Sequence, residues 1–483
     1  MRKLLLATVA VLAAGIGIAE TAQAQEFPTP GTVTVRLNGR FRFYASIQDQ
    51  SDANNNLQGP GDGLTPQTGT NKLTNYNFSD YGRLYPGFDG VAANGLKYGA
   101  SLEIRTGEGA GAGFGQYGGG YGAAGSRTFL WLFRQWGYIG TDKLGTIRLG
   151  QTDDPSTLYA TGTFENFNDG GWNGDVVFQL PYNLIPEWPF LDSGNFIPIN
   201  RAIYLSPQLY GFDFGVSFAP NSGGGSGSPN SGCGSGSFDG GNFVGPAGPV
   251  AGIAGPGTPF GSLGANTQSI AGPGCDTLAA TPTGDYSRPR NIFNGLLRYR
   301  GSFGAFGVAA TAGYLASGTV AGNATPHQIP YYNGYSVGDF GLAVTYGGLS
   351  VGGHLLHGQI NGGGDALNLK GGRPETAWLA GVSYTIGPVI VGANYWVDDS
   401  TGDINQSVRG SQLHEIALDV GGTYSLAPGL ALFLDYGYGE RRQHGYNFIS
   451  GQDSTSTATG SASSTLHNKV TAQIIAIGTS FAW

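Results

Sequence analysis

A sixteen-stranded, antiparallel transmembrane β-barrel is the all-β fold class that this sequence predicts. Three observations carry the prediction. An export signal opens the chain and no apolar helical span follows it. Long segments alternate strictly between apolar and polar residues. The connections between those segments alternate between short and long.

Composition agrees with turns and strands rather than helices. Of 483 residues, 87 are Gly and 25 are Pro, while only 12% are charged, about half the share of an ordinary soluble domain. Aromatics reach 12%, which excludes a disordered chain, and Gly is not placed every third residue, which excludes a collagen helix.

At the N-terminus, Arg2 and Lys3 precede an apolar run from Leu4 to Ile18, followed by Ala22-Gln23-Ala24. This is the pattern of a secretory signal, 1–24, with cleavage expected before Gln25, so 25–483 is expected to be the mature barrel. The run is too short to cross a membrane as a helix.

The first mature strand shows why the barrel must have lipid outside and water inside. Val33, Val35, Leu37, Gly39, Phe41, Phe43, Ala45 and Ile47 fall on one face, and Thr34, Arg36, Asn38, Arg40, Arg42, Tyr44, Ser46 and Gln48 on the other. The pattern recurs in Lys97–Arg105, where Tyr98, Ala100, Leu102 and Ile104 oppose Glu103 and Arg105. It recurs again where Ile416, Leu418 and Val420 oppose Glu415 and Asp419, and where Leu432, Leu434 and Tyr436 oppose Asp435 and Arg441. The predicted strands are 32–48, 77–91, 97–107, 127–140, 145–151, 200–207, 211–219, 290–301, 305–317, 335–346, 349–360, 375–386, 389–398, 413–426, 430–442 and 466–483. Short links at 92–95, 141–144, 208–210, 302–304, 347–348, 387–388 and 427–429 alternate with long ones, as an up-and-down barrel with periplasmic turns and extracellular loops requires.

Several of these segments resemble the Gram-negative general porins. Asn94-Gly95-Leu96-Lys97-Tyr98-Gly99-Ala100-Ser101-Leu102-Glu103-Ile104-Arg105 is similar to the first periplasmic turn and third strand of that family. Trp136-Gly137-Tyr138-Ile139-Gly140 through Gly145-Thr146-Ile147-Arg148-Leu149-Gly150-Gln151 resembles the strand pair leading into the porin constriction loop. Tyr204-Leu205-Ser206-Pro207 with Gly211-Phe212 resembles the return from it. Thr479-Ser480-Phe481-Ala482-Trp483 resembles the aromatic-ended assembly signal, with Phe481 and Trp483 as its key residues. Trp replaces the usual terminal Phe, and Gln151 stands where a basic residue is common. The resemblance implies an outer-membrane homotrimer, inserted by the barrel assembly machinery among outer-membrane lipids and passing small hydrophilic solutes and ions.

A barrel this wide leaves an aqueous channel, so one element must narrow it. The segment 152–199 is that candidate. It holds Asp153, Asp154, Glu165, Asp169, Asp175, Glu187 and Asp192 without Lys or Arg. Arg36, Arg40, Arg42, Arg83, Arg105, Arg134 and Arg148 are the expected basic pore lining. Folded inward, the acids are expected to face the arginines across a narrow gap; the alternative pairs those arginines with wall carboxylates such as Glu103.

The Gly/Ser/Pro-rich segment 220–289 carries the two cysteines, Cys233 and Cys275, which oxidising export is expected to pair as a disulfide in an extracellular loop. No catalytic or metal constellation and no cofactor motif stands out. Gly120-Tyr121-Gly122-Ala123-Ala124-Gly125 lacks a βαβ context, and His354 and His357 fall on opposite strand faces. Pairs such as Ser411 with His414, or Ser464 with His467, leave a barrel enzyme as a minor alternative. Nothing suggests a nucleic-acid partner. The expected function is therefore a passive channel. The alternatives are a sugar- or anion-selective channel, with Tyr44, Trp396 and Phe433 as inward aromatics, or a plugged surface adhesin.

Overall fold

The computed structural model describes residues 28–51, 74–106, 130–180, 184–192, 199–221, 289–319, 332–361, 367–368, 370–402, 412–444, 446–448, 452–453 and 467–483. The expected signal 1–24, both cysteines, Ser411 and Ser464 lie outside the described residues.

The strands are β1 (Thr32–Gln50), β2 (Tyr76–Val91), β3 (Lys97–Thr106), β4 (Leu130–Thr141), β5 (Gly145–Thr152), β6 (Ile199–Leu205), β7 (Phe212–Asn221), β8 (Pro289–Phe303) and β9 (Phe306–Thr319). They continue as β10 (Ser336–Tyr346), β11 (Leu349–Gln359), β12 (Glu375–Ile386), β13 (Val389–Ser400), β14 (Leu413–Ala427) and β15 (Leu430–Gln443). A small hairpin of β16 (Tyr446–Asn447) and β17 (Gln452–Asp453) precedes β18 (Lys469–Ala482). Sequence neighbours from β1 to β15 pair in order, and β18 lies between β15 and β1, closing a barrel of sixteen antiparallel strands. The expected strands are all present with ends shifted by a few residues. The last begins at Lys469 rather than 466, and residues 127–129 of the expected fourth strand lie outside the described residues. The alternation reading did not foresee the hairpin, because two-residue strands carry too little pattern to detect.

Closure follows from the two-faced strands. Val35 is 79% and Ile47 57% exposed, whereas Tyr44 between them on the opposite face is 1% exposed. Placing a charged residue on a lipid-facing wall at the bilayer centre costs about 2–4 kcal/mol, so the arginine face of β1 must turn to the lumen. At the short-turn end Phe303, Phe306, Tyr346, Tyr384 and Tyr424 are all exposed, on β8, β9, β10, β12 and β14, an aromatic girdle of the kind that marks a membrane interface. Short turns are built on left-handed glycines such as Gly347 (φ +57°) and Gly387 (φ +55°). No helix among the described residues is long and apolar enough to cross a membrane.

The seam between the chain ends explains two outward residues. Gly39 and Trp483 exchange backbone hydrogen bonds, each 3.1 Å. The Trp483 indole covers Gly39 so closely that a Cβ there would sit 2.4 Å from Cζ2. The gap in the apolar row of β1 is therefore where the terminal indole lies.

Candidate functional site

Between β5 and β6 the chain leaves the wall and runs through the lumen. At the departure point Gly150 has φ +125°, and a Cβ there would lie 2.5 Å from the Gln135 carbonyl oxygen. Asp154 then accepts a hydrogen bond from Thr157 N (3.1 Å) and caps the single helical turn Pro155–Leu158. Arg134 Nε donates to Asp153 at 2.9 Å, Arg201 lies 3.3 Å from Asp154, and Asn294 donates to Ser156 Oγ at 2.9 Å.

The next stretch lies against β10–β15. His354 bridges the Thr161 carbonyl (2.8 Å) and the Asp339 carboxylate. Asn394 Nδ2 donates to the Phe164 carbonyl at 3.0 Å, and Thr423 Oγ1 to the Phe167 carbonyl at 2.9 Å. Asn168 Nδ2 donates to Asp419 (2.9 Å) and Asp435 (2.8 Å), and Trp172 Nε1 to the Leu418 carbonyl at 3.0 Å. Phe164 has φ +50°, a left-handed backbone that a bulky residue seldom adopts.

The loop then crosses to β1 and β2. Arg83 donates to Asp175 at 2.7 Å, Arg42 at 3.4 Å, Arg40 lies 3.5 Å away, and the Tyr81 hydroxyl also donates to it. Arg40, Arg42 and Arg83 cluster around the Tyr81 ring at 5.6, 6.0 and 5.1 Å. Gln179 receives Ser46 Oγ at 2.5 Å. On the way back, Glu187 accepts from Arg441 at 3.0 Å, Trp188 packs on Trp396 with ring centres 6.0 Å apart, and Thr157 Oγ1 reaches the Leu191 carbonyl at 2.9 Å.

The expected acids thus divide. Asp153, Asp154, Asp175 and Glu187 meet arginines directly. Three others serve the loop itself. Glu165 accepts from Asn173 (2.6 Å), Asp169 from the backbone N–H groups of Gly171 and Val176, and Asp192 from Trp188 Nε1 (3.0 Å). Burial, with Asp192 near by, pushes the Glu165 carboxyl well above the usual carboxylate range, and burial raises Asp192 as well. The arginines divide too. Arg36 pairs with Asp89 at 2.6 Å, and Glu103 gathers Arg105 (2.7 Å), Arg134 and Arg83. Arg148 stacks over Trp136 at 3.8 Å. The open gap expected between loop acids and arginines is replaced by direct contact at Asp153, Asp154, Asp175 and Glu187, and wall carboxylates take up several of the remaining arginines.

Other residues of the site were missed. Arg298 and Arg300 flank Asp213 on β7–β8, at 2.8 and 2.9 Å, and their inward parity was the available signal. His354, Asn394 and Thr423 hold loop carbonyls, which no sequence pattern marks. Tyr44 and Phe433 touch, with ring centres 5.3 Å apart, but Trp396 packs on the loop instead, so the three inward aromatics make no continuous track. His414 engages Asp399 at 2.8 Å.

A family model described as Gram-negative porin matches residues 7–444. The chain belongs to the Gram-negative porin family. Among solved structures, the porin is similar to an anion-selective porin from Comamonas acidovorans, with 16% identity and a TM-score of 0.46, covering 94% of this chain and 100% of that one. It is similar to a loop-deletion mutant of OmpT from Vibrio cholerae, at 11% identity and a TM-score of 0.46 over 93% of this chain and 99% of that one. A Rhodopseudomonas blastica porin mutant matches at 12% identity and a TM-score of 0.42, over 93% and 100%. No curated protein matches the sequence. The porin is an outer-membrane channel for passive diffusion, and its closed barrel supplies the wall of that channel.

Proposed function

We propose that the porin is a non-enzymatic, anion-preferring diffusion channel, narrowed by the segment 152–199 and lined at the narrowing by arginines of β1–β8. One observation carries this reading. The lumenal segment lies over the acidic wall, where Glu375, Asp398, Glu415, Asp419 and Asp435 are all 0% exposed. Part of the opposite wall keeps contact with solvent: the Arg36 side chain is 18%, Arg134 15% and Arg300 37% exposed, although Arg42 and Arg105 are buried. Charges that touch the remaining water set the field along the path, and those sealed beneath the loop contribute far less.

The experiment is a reversal-potential measurement in a planar bilayer with a salt gradient. The wild-type channel should favour chloride over potassium. Replacing Arg40 and Arg42 together with Ala should raise conductance and move the reversal potential toward cation selectivity by tens of millivolts. An unmoved potential in a correctly folded variant rejects the arginine lining.

The porin assembles, on this reading, as a homotrimer whose contacts include β5 and β6. These strands have 8 and 7 residues, short of the roughly 9–11 that a membrane strand needs. The amides of Gln135, Gln151 and Asn200 line up side by side on their outward face. Gln151 Nε2 donates to the Phe133 carbonyl at 2.7 Å, and a row of polar amides on an outward face is better covered by a neighbouring subunit than by hydrocarbon. Gln151→Cys in the membrane should cross-link between subunits with a short thiol reagent; labelling by a lipid-soluble maleimide with no cross-linked product rejects this face.

A further inference from the structure

Six glycines of the covered wall have no turn to make. Gly341, Gly381, Gly392, Gly421, Gly437 and Gly439 occupy inward positions inside β10 and β12–β15, and none has a left-handed backbone. Glycine in a strand interior weakens it and commonly marks a place where something approaches closely. At five of them the lumenal segment is what approaches; at Gly421 the Leu434 carbonyl oxygen of the wall lies nearest, at 2.3 Å, with Asn168 Nδ2 at 3.0 Å. A Cβ at Gly341 would lie 2.0 Å from the Thr161 carbonyl oxygen. At Gly381 it would lie 2.6 Å from Phe164 Cγ, and at Gly392 2.5 Å from Phe167 Cδ1. At Gly439 it would lie 2.4 Å from Pro186 Cγ, and at Gly437 3.3 Å from Trp172 Cζ2.

The contacts repeat along the loop. Thr161, Phe164 and Phe167 are three residues apart, and each gives its carbonyl to a wall donor, His354, Asn394 and Thr423 in turn. The two phenylalanine rings enter the places left empty by Gly381 and Gly392. At Gly381 the clash includes Phe164 Cβ at 2.6 Å, which rotation of the ring alone does not relieve, and both phenylalanines carry a carbonyl bonded to the wall.

We propose that these glycines are sockets that position the lumenal segment, and so set both the bore of the channel and which wall it opens. This rests on the reading of 152–199 as the narrowing element. A side chain in a socket pushes the segment off the acidic wall and into the remaining passage.

The test is a bump and a matching hole. Gly392→Leu should lower single-channel conductance at least twofold and reduce the size limit for neutral sugars in liposome swelling. Adding Phe167→Ala should return both toward the wild-type values. Gly82→Ala, an outward glycine whose Cβ would meet Thr106 Cγ2 at an ordinary 3.4 Å, should change neither. A folded Gly392→Leu channel that conducts and sieves like wild type overturns the proposal. So does a loss that Phe167→Ala does not reverse, or a loss of heat stability with an unchanged sieving limit. Should Gly392→Leu not assemble, Phe167→Ala alone decides: an emptied socket should at least double the open-channel current noise, and a quiet trace overturns the proposal. The sockets fail by themselves when Arg40→Ala with Arg42→Ala shifts the reversal potential but neither socket variant alters conductance. The reading of the narrowing element fails when none of these variants alters permeation.

Discussion

The two halves of this barrel wall are built to opposite specifications. From β1 to β8 the inward face carries arginines, most of them set around wall carboxylates or acids of the lumenal segment, and several, such as Arg36, Arg134 and Arg300, keep part of their surface in water. From β10 to β15 it carries buried acids, glycines and amide or hydroxyl donors, and the loop fills the space in front of them. Aromatic rings press on the second wall, whereas the first is reached chiefly through polar groups, the carboxylates of Asp153, Asp154 and Asp175 with Ser156 and Gln179. A wall made to be covered can hold charge without presenting it. A wall made to stay open must balance its charges locally and leave a remainder for the solute.

The largest break in this comparison would come at the seam where the halves meet. β18 pairs with β15 on one side and β1 on the other, and Trp483 supplies the last pair of backbone bonds to Gly39. Deleting Phe481 to Trp483 exposes unpaired edges that lipid cannot satisfy, so both halves should fail together. The expected result is unassembled chain in the periplasm with no heat-modifiable band. Normal assembly of the truncated chain would mean that closure does not depend on this seam.

A milder change sharpens the contrast between the halves. Asp419→Asn removes a charge of the covered wall beneath Asn168. The reversal potential should stay within a few millivolts of wild type, while loosening of the loop should add current noise. A shift as large as that from the paired arginine substitutions would show that the acids under the loop still face the conducting water, and the two halves would then not differ in the way argued.

The legibility of the molecule follows the range of its interactions. Strand faces were readable because alternation is a property of adjacent residues: the inward set of Glu415, Asp419, Asp435 and Arg441 lies where parity put it. The fate of the loop acids was not local. Asp175 and Glu165 are ten positions apart in one acidic segment, yet one meets three arginines and the other an asparagine of its own loop. Asn168 bonds Asp435, 267 positions away, and no spacing in the chain announces such a pair.

The sequence by itself therefore determined the barrel, its strand number, the orientation of each face and the basic surplus on the early strands. Those follow from a two-residue period and from the cost of exposing charge to hydrocarbon. Only the tertiary structure decided which wall the lumenal segment covers, which acids are silenced under it and which arginines remain in contact with water. That choice depends on sockets, donors and carbonyls meeting across the closed lumen, and these come into register only once all sixteen strands have closed.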